Sequence, residues 1–310
     1  MPTPRTARLA AHLARAFGPT TRAIIHYGSH AQRSDARPES AHDFFIIVER
    51  YADAYRSLAA SGGTTVRPRL AALLNHVLPP NVVAVTERDV EPPLHAKCAI
   101  LSVDDLRRAC SRRARDHFTQ GRLFQQVQLV WTSDPAARAV VVGALLEARA
   151  RTFEWGRPYL PAGFDAETYC RVLLDTSYAA EIRPEGRERV VALIGAQRET
   201  VVRMYDALLQ HLAAKRIVAK HGKVYTDLHP PGRWAKFRAA MYFRRSKRRA
   251  TARWLKYIVL YDDWLDYILL KVARRSGVSV ELTARERRWP LIFLWPKAIR
   301  YLRSRPQRRT

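Results

Sequence analysis

The sequence predicts a mixed α/β domain over residues 1–133, a mostly helical domain over 134–230, and a basic, amphipathic helical region over 231–310. Three observations lead there. Short apolar runs rich in Ile, Val and Phe alternate with helix-length stretches in the first third. From about Asp134 onward the hydrophobic spacing is helical, and beyond Pro231 cations are interleaved with large aromatic side chains. At roughly 150 residues per domain, a chain of 310 residues has ample core for this division.

The first helix covers residues 5–17, with Leu9, Leu13 and Phe17 on one face. Its Ala- and Arg-rich composition, with no acid before Asp35, resembles a mitochondrial targeting segment, but a structured motif already begins near Ile24, which favours a helix of the fold. Residues 23–27 and 43–48 read as apolar strands separated by Gly28-Ser29 and a polar loop. Residues 51–60 and 67–77 are helical, and 82–86 and 96–102 are two further strands. Ser102 followed by Asp104 and Asp105 starts another helix, with acids in its first turn. Helices then cover 136–152, 166–176 and 186–212. Gly222 and the run His229-Pro230-Pro231-Gly232 interrupt the chain before the basic region.

Charge narrows the function classes. Lys and Arg number 54 against 28 Asp and Glu, a net of +26. Residues 231–310 alone hold 22 basic and 5 acidic side chains, so most of the excess lies there. The composition calls for a polyanionic partner, and nucleic acid and anionic lipid both satisfy it. No apolar stretch reaches the roughly 18 residues of a membrane-spanning helix, which excludes a polytopic membrane protein. Cys98, Cys110 and Cys170 lie far apart with no CxxC pair, which argues against a disulfide framework and a zinc ribbon.

One motif carries chemistry. A strand ends in Tyr27-Gly28-Ser29, a loop follows, and the next strand opens on Asp43, which is the opening of the nucleotidyltransferase fold. Gly28 lets the backbone approach a triphosphate, and Ser29 offers a hydroxyl and an N–H to its oxygens. Asp43 is placed to hold Mg²⁺ against the phosphates. Glu49, Glu87, Asp89 and Glu91 are candidates for a second metal contact, with solvated surface charge as the plainer reading. His26, His30, His42 and His95 gather near these strands without metal-ligand spacing and are taken as core or surface histidines.

Four ordered segments extend the pattern. They are Tyr27-Gly28-Ser29 through Gln32 to Asp43-Phe44-Phe45-Ile46-Ile47-Val48; Ala96-Lys97-Cys98-Ala99-Ile100-Leu101-Ser102 with Asp105-Leu106; Phe118 and Gly121-Arg122-Leu123 with Val127; and Ser177-Tyr178-Ala179-Ala180-Glu181-Ile182-Arg183-Pro184. Together they resemble the mitochondrial-type phosphatidate cytidylyltransferases, the translocator assembly and maintenance family, in a bacterial-type form. The resemblance covers roughly residues 20–210. It implies a peripheral membrane enzyme that joins CTP to phosphatidic acid with Mg²⁺, giving CDP-diacylglycerol and pyrophosphate. It also implies a nucleotidyltransferase domain followed by a helical, winged-helix-like one, at the cytoplasmic face of a membrane, or at the matrix side of the mitochondrial inner membrane in a eukaryote. A homodimer is compatible with it. Carried over by position, Asp43 and Lys97 are catalytic, Tyr27, Gly28, Ser29 and Arg122 bind nucleotide, and Ser177, Tyr178 and Arg183 place substrate or support domain packing.

The chain departs from the family at Gln125-Gln126, where the family has Lys-Pro, and at Glu181, where it has Asp; a related lipid or sugar phosphate stays open as acceptor. Many nucleotidyltransferases carry a second carboxylate two residues after the first, where this chain has Phe45. A phosphate monoester already bears an ionised oxygen near neutral pH, so transfer to it needs no general base. In-line positioning and charge neutralisation by Mg²⁺, Lys97 and Arg122 then suffice.

In the basic region, Trp254, Tyr257, Tyr261 and Trp264 recur at helical spacing and read as helix–helix core. Residues 289–296 are short and apolar, flanked by arginines. Arg288, Trp289 and Trp295 are therefore expected to contact lipid at the membrane interface. Nucleic acid is not the expected partner. Two rival readings remain: a nucleotidyltransferase acting on RNA, protein or a small phosphorylated acceptor, and a non-catalytic polyanion-binding protein on the same fold.

Overall fold

The computed structural model describes residues 2–32, 40–63, 67–180, 187–260, 282–283 and 285–286. Helix α1 (Pro4–Phe17) opens on a Thr3 cap, whose hydroxyl accepts the Thr6 N–H at 3.2 Å, and buries Leu9, Leu13 and Phe17 as its spacing requires. There follow β1 (Thr21–Tyr27), α2 (Ser29–Gln32), β2 (His42–Val48), α3 (Tyr51–Ala60), α4 (Pro68–Val77), β3 (Asn81–Glu87), β4 (Leu94–Ser102), α5 (Val103–Cys110), α6 (Gln120–Leu123), β5 (Gln128–Thr132) and α7 (Pro135–Ala150). Ser102 caps α5, accepting the Asp105 N–H at 3.1 Å.

The five strands form one mixed sheet in the order β3-β4-β2-β1-β5. β2 and β4 are parallel, and the other three pairings are antiparallel. One face carries Ala23, Ile25, Tyr27, Phe45, Ile47, Ala99 and Leu101, packed under Leu106, Cys110, Leu123, Val141 and Ala144 of α5, α6 and α7. Full burial of each large aliphatic or aromatic side chain contributes about 1.5–3 kcal/mol, so this layer fixes the strand register. Helices α1, α3 and α4 lie on the other face. There Asn81 donates to Tyr55 Oη and to the Ala71 carbonyl, at 2.6 and 2.8 Å, and ties α3 and α4 to the edge strand β3.

The helical part comprises α8 (Thr152–Gly156), a 3₁₀ turn (Arg157–Tyr159), α9 (Ala166–Ala179), α10 (Arg187–Ala196), a π turn (Arg198–Val202) and α11 (Arg203–Ala214). A hairpin of β6 (Val218–His221) and β7 (Val224–Asp227) precedes the long α12 (Arg233–Leu260). Tyr169, Leu173, Tyr205, Leu209, Phe124 and Trp155 pack into its core. Two of the buried phenols in this core are satisfied: Tyr169 donates to Thr152 Oγ1 at 2.9 Å, and Tyr205 to the Phe124 carbonyl at 2.8 Å. Residues Met1–Trp254 make one compact unit and Leu255–Thr310 a second. In the latter, Thr283 and Glu286 cap each other's backbone N–H, a capping box.

Three features depart from the sequence expectation. β5 and the β6–β7 hairpin are strands with no counterpart in the sequence reading; both are short, and their partners are β1 and each other. The helix expected over 186–212 is broken at Gln197, whose side chain leaves the helix to accept the Gln126 N–H at 2.9 Å.

His26, His30 and His42 form a cluster beside the motif strands. His26 and His42 are buried and share a hydrogen bond at 3.2 Å, and the His30 ring stacks on His42 at 4.0 Å. Burial pushes both buried imidazoles down to about 4. The unfolded chain, titrating near 6.5, takes up these protons first as pH falls, so stability drops between pH 6.5 and 4 and does not change on this account above 6.5. Denaturant titration should therefore show a loss of up to about 2 kcal/mol per imidazole between pH 6.5 and 5, with a shallower slope in His26→Phe.

Candidate functional site

The motif converges where β1 ends. Gly28 has φ +78, a conformation that a side chain disfavours, and its carbonyl accepts the N–H groups of Ala31 and Gln32 at 3.0 and 3.1 Å. The chain thereby turns into α2, which starts at Ser29. Register pairs Tyr27 with Asp43, Asp43 with Lys97, and Lys97 with Ala84, so one row crosses four strands on one face of the sheet. A Cβ added to Gly28 would lie 2.6 Å from Asp43 Oδ2 and 3.2 Å from its Cβ. Backbone and carboxylate therefore touch, and only glycine fits between them.

Around this contact the residues differ in exposure. Asp43 is half-buried, and Lys97, on the next strand about 4.8 Å away, is exposed. The Tyr27 ring is buried and stacks on Phe45 at 4.5 Å. Phe45 fills the position of a second carboxylate and belongs to the core, which leaves Asp43 flanked by a lysine and not by another acid. Among the candidates for a further metal contact, Glu87 is buried in an ion pair with Arg8 at 3.0 Å, and Glu49 lies beyond the far end of β2 near Arg22. No group of three or more metal-capable His, Cys, Asp or Glu side chains occurs among the described residues.

Arg122 reaches the same face by another route. Its guanidinium carbon sits 3.7 Å from the Phe118 ring centroid, and its Nη1 donates to the Phe118 carbonyl at 2.8 Å. Phe118 in turn meets Phe45 edge-on, with centroids 6.3 Å apart. A buried pair of amides ties the two segments together: Gln32 Nε2 donates to Gln125 Oε1 at 3.1 Å, and Gln125 Nε2 to the Gly121 carbonyl at 2.8 Å. Gln126 accepts the Thr200 hydroxyl at 2.8 Å. The two glutamines thus join the α/β part to the helical part. Composition gave no signal of this, because a glutamine's role depends on which partners arrive from elsewhere in the chain.

Ser177 and Tyr178 are placed with the helical core. Ser177 is buried, donates to the Leu173 carbonyl at 2.7 Å, and bonds His117 Nε2 at 2.9 Å. It supports Gly121, on which a Cβ would lie 3.5 Å from that of Ser177 and 3.1 Å from His117 Cδ2. Its hydroxyl bonds inside the protein, as a packing role requires. Tyr178 is half-buried against the same core. Arg183, Arg288, Trp289 and Trp295 lie outside the described residues.

Sequence reasoning missed the inward face of α12. Ser246 accepts the His117 N–H at 3.0 Å, and Arg249 and Arg253 both reach Asp116. The spacing of four residues between the two arginines was the available signal, obscured among so many cations. On the outward face Trp234, Phe237 and Met241 are 68%, 51% and 41% exposed, and the first two stack at 5.4 Å. Exposed Arg233, Lys236, Arg238, Arg244 and Arg245 surround them.

A search of protein-family models and of curated proteins finds no match to this chain. What the site can do is read from its own residues. Gly28→Ala should combine backbone strain of about 1–2 kcal/mol with displacement of the Asp43 carboxylate. Gly222, with φ +62 and nothing within 4 Å, provides the control, since alanine there meets strain alone. Thermal melts should rank Gly28→Ala clearly below Gly222→Ala.

Proposed function

We propose that the chain is a Mg²⁺-dependent nucleotidyltransferase that transfers CMP from CTP to phosphatidic acid at a membrane surface, yielding CDP-diacylglycerol and pyrophosphate. The observation that carries this reading is the Gly28–Asp43 contact at the mouth of an antiparallel β1–β2 pair, with Lys97 in register on parallel β4. A glycine turn against a carboxylate suits a triphosphate, because phosphate oxygens can approach the bare backbone while a divalent ion is held beside them.

The donor set fits Mg²⁺, which is commonly bound through one or two carboxylates plus substrate phosphates. Asp43 would hold it, and the ion would supply neutralisation of charge on the phosphate oxygens. Ser29 and the Gly28 turn orient the triphosphate, and Lys97 and Arg122 offset the negative charge that gathers as pyrophosphate leaves. The acceptor follows from the residues beside Asp43. With Phe45 and Lys97 in the two adjacent positions, no carboxylate among the described residues stands beside Asp43 to take a proton from a hydroxyl acceptor. A phosphate monoester, ionised before it attacks, needs none.

The helical part supports the same reading. Helices α9–α11 lead into the β6–β7 hairpin, and Phe164 adds a bridge to Tyr225, an arrangement of the winged-helix kind. The Trp234–Phe237–Met241 stripe among cations suits an anionic lipid interface, with aromatics at headgroup depth and arginines on phosphate. Among the described residues no helix is long and apolar enough to cross a membrane, consistent with attachment from one side.

The deciding experiment measures pyrophosphate release from CTP, ATP, GTP and UTP with Mg²⁺, with and without phosphatidic acid in mixed micelles. Release that requires CTP and phosphatidic acid together is expected. Release with RNA or a soluble phosphorylated acceptor in place of lipid would overturn the acceptor, and no release from any nucleotide would overturn the enzyme. Asp43→Asn should lower turnover by ~100-fold or more while the protein still sediments with liposomes. Trp234→Glu with Phe237→Glu should weaken sedimentation with phosphatidylglycerol vesicles by about tenfold or more, read as a partition coefficient at physiological salt.

A further inference from the structure

A cavity of about 480 Å³ lies at the outer edge of β3, the end strand of the five-stranded sheet. Its walls come from three places: His12 and Arg15 of α1, the turn at residues 61–63 after α3, and a stretch from Ala84 of β3 through Arg88 and Asp89. Arg15 and Arg88 come from distant parts of the chain, and the packing of α1 against β3 brings them to one space. Arg15, Arg88 and Asp89 are exposed, and His12 is half-buried. The volume falls within the range of about 300–1,000 Å³ that small-ligand sites occupy.

The charged groups on this cavity are uncommitted. Among the described residues, the side chains of His12, Arg15, Arg88 and Asp89 make no hydrogen bond or ion pair. Asp89 gives only its backbone carbonyl, to Arg8 Nη2 at 3.2 Å. Glu87, the acid next to Arg88, is buried and matched with Arg8 at 3.0 Å. On α3, by contrast, Arg50 and Arg56 both pair with the one acid within reach, Asp53. Two guanidiniums against one carboxylate leave the cavity with excess positive charge, fork-shaped donors and a free acceptor on the same walls.

We infer that this cavity binds a small phosphate monoester bearing hydroxyl groups, with its phosphate on Arg15 and Arg88 and a hydroxyl donating to Asp89. Guanidinium forks match phosphate oxygens in geometry, and a monoester dianion offsets two cations where a single carboxylate offsets one. Asp89 repels a bare anion and favours a ligand that brings a donor as well. The site is separate from the Gly28–Asp43 contact: Ala84 pairs with Lys97 and Lys97 with Asp43, so the cavity begins two strands away, about 10 Å. It therefore adds a binding site to the α/β part and does not rest on the nucleotidyltransferase reading.

The test uses glycerol 3-phosphate, with no nucleotide and no divalent ion present. Calorimetric titration of the full chain at fixed ionic strength should show binding that weakens by about tenfold or more in Arg15→Gln and in Arg88→Gln. Asp89→Asn should weaken it as well, although that change removes a negative charge. All three side chains are exposed, so these variants keep the fold. Arg113→Gln, the same loss of charge at an exposed position outside the cavity, should leave binding unchanged. A water-soluble short-chain phosphatidate, whose glycerol hydroxyls are esterified, distinguishes a soluble ligand from a lipid headgroup and should bind at least tenfold more weakly. No binding in the wild type, an equal loss in Arg113→Gln, tighter binding in Asp89→Asn, or phosphatidate binding as tight as glycerol 3-phosphate would each overturn the inference. Pyrophosphate release from CTP is measured without this ligand, so the two readings fail separately.

Discussion

One contact orders the candidate site: the backbone of Gly28 against the carboxylate of Asp43. It requires β1 to end in a left-handed residue, β2 to begin one register step away, and no side chain between them. The same register places Lys97 beside Asp43, because β2 and β4 run parallel and their pairing allows no slip without moving Phe45, Ile47, Ala99 and Leu101 out of the core. The packing of a hydrophobic layer thus sets the positions of the charged groups at its edge.

A second constraint joins the two halves of the first compact unit. Phe124 leaves the Gly121-Arg122-Leu123 segment to enter the helical core, while Gln125 and Gln126 bond to Gln32 on one side and Thr200 on the other. The cation at Arg122 is therefore held between rigid neighbours. Burial would raise the Asp116 carboxyl, but Arg253, Arg249 and the Phe118 N–H outweigh it and hold the group below the usual carboxylate range. Asp116 remains ionised as the anchor for α12 well below neutral pH.

Helix α12 shows how one element can serve two environments. Its inward face gives Ser246, Arg249 and Arg253 to the protein, and its outward face leaves Trp234, Phe237 and Met241 to solvent among cations. Burying that apolar stripe in a lipid interface would recover hydrophobic free energy that folding leaves unused. The arginines beside it add long-range attraction to an anionic surface.

The sequence by itself determined the local elements and the chemical groups. The spacing of Leu9, Leu13 and Phe17, the Ser102 cap, the apolar strands around Gly28-Ser29 and Asp43, and the basic aromatic tail all follow from periodicity, capping and composition, which act over a few residues. Only the tertiary structure decided the rest. β5 and the β6–β7 hairpin are too short to announce themselves and gain their bonds from pairing. Ser177 became a packing residue because His117 and Gly121 arrived beside it, and Arg253 acquired a buried, unmatched nitrogen because Asp116 and Pro79 claimed the others. Such roles depend on contacts between residues sixty to more than a hundred positions apart, and no local pattern encodes which of many arginines or serines will meet a partner when the layers close.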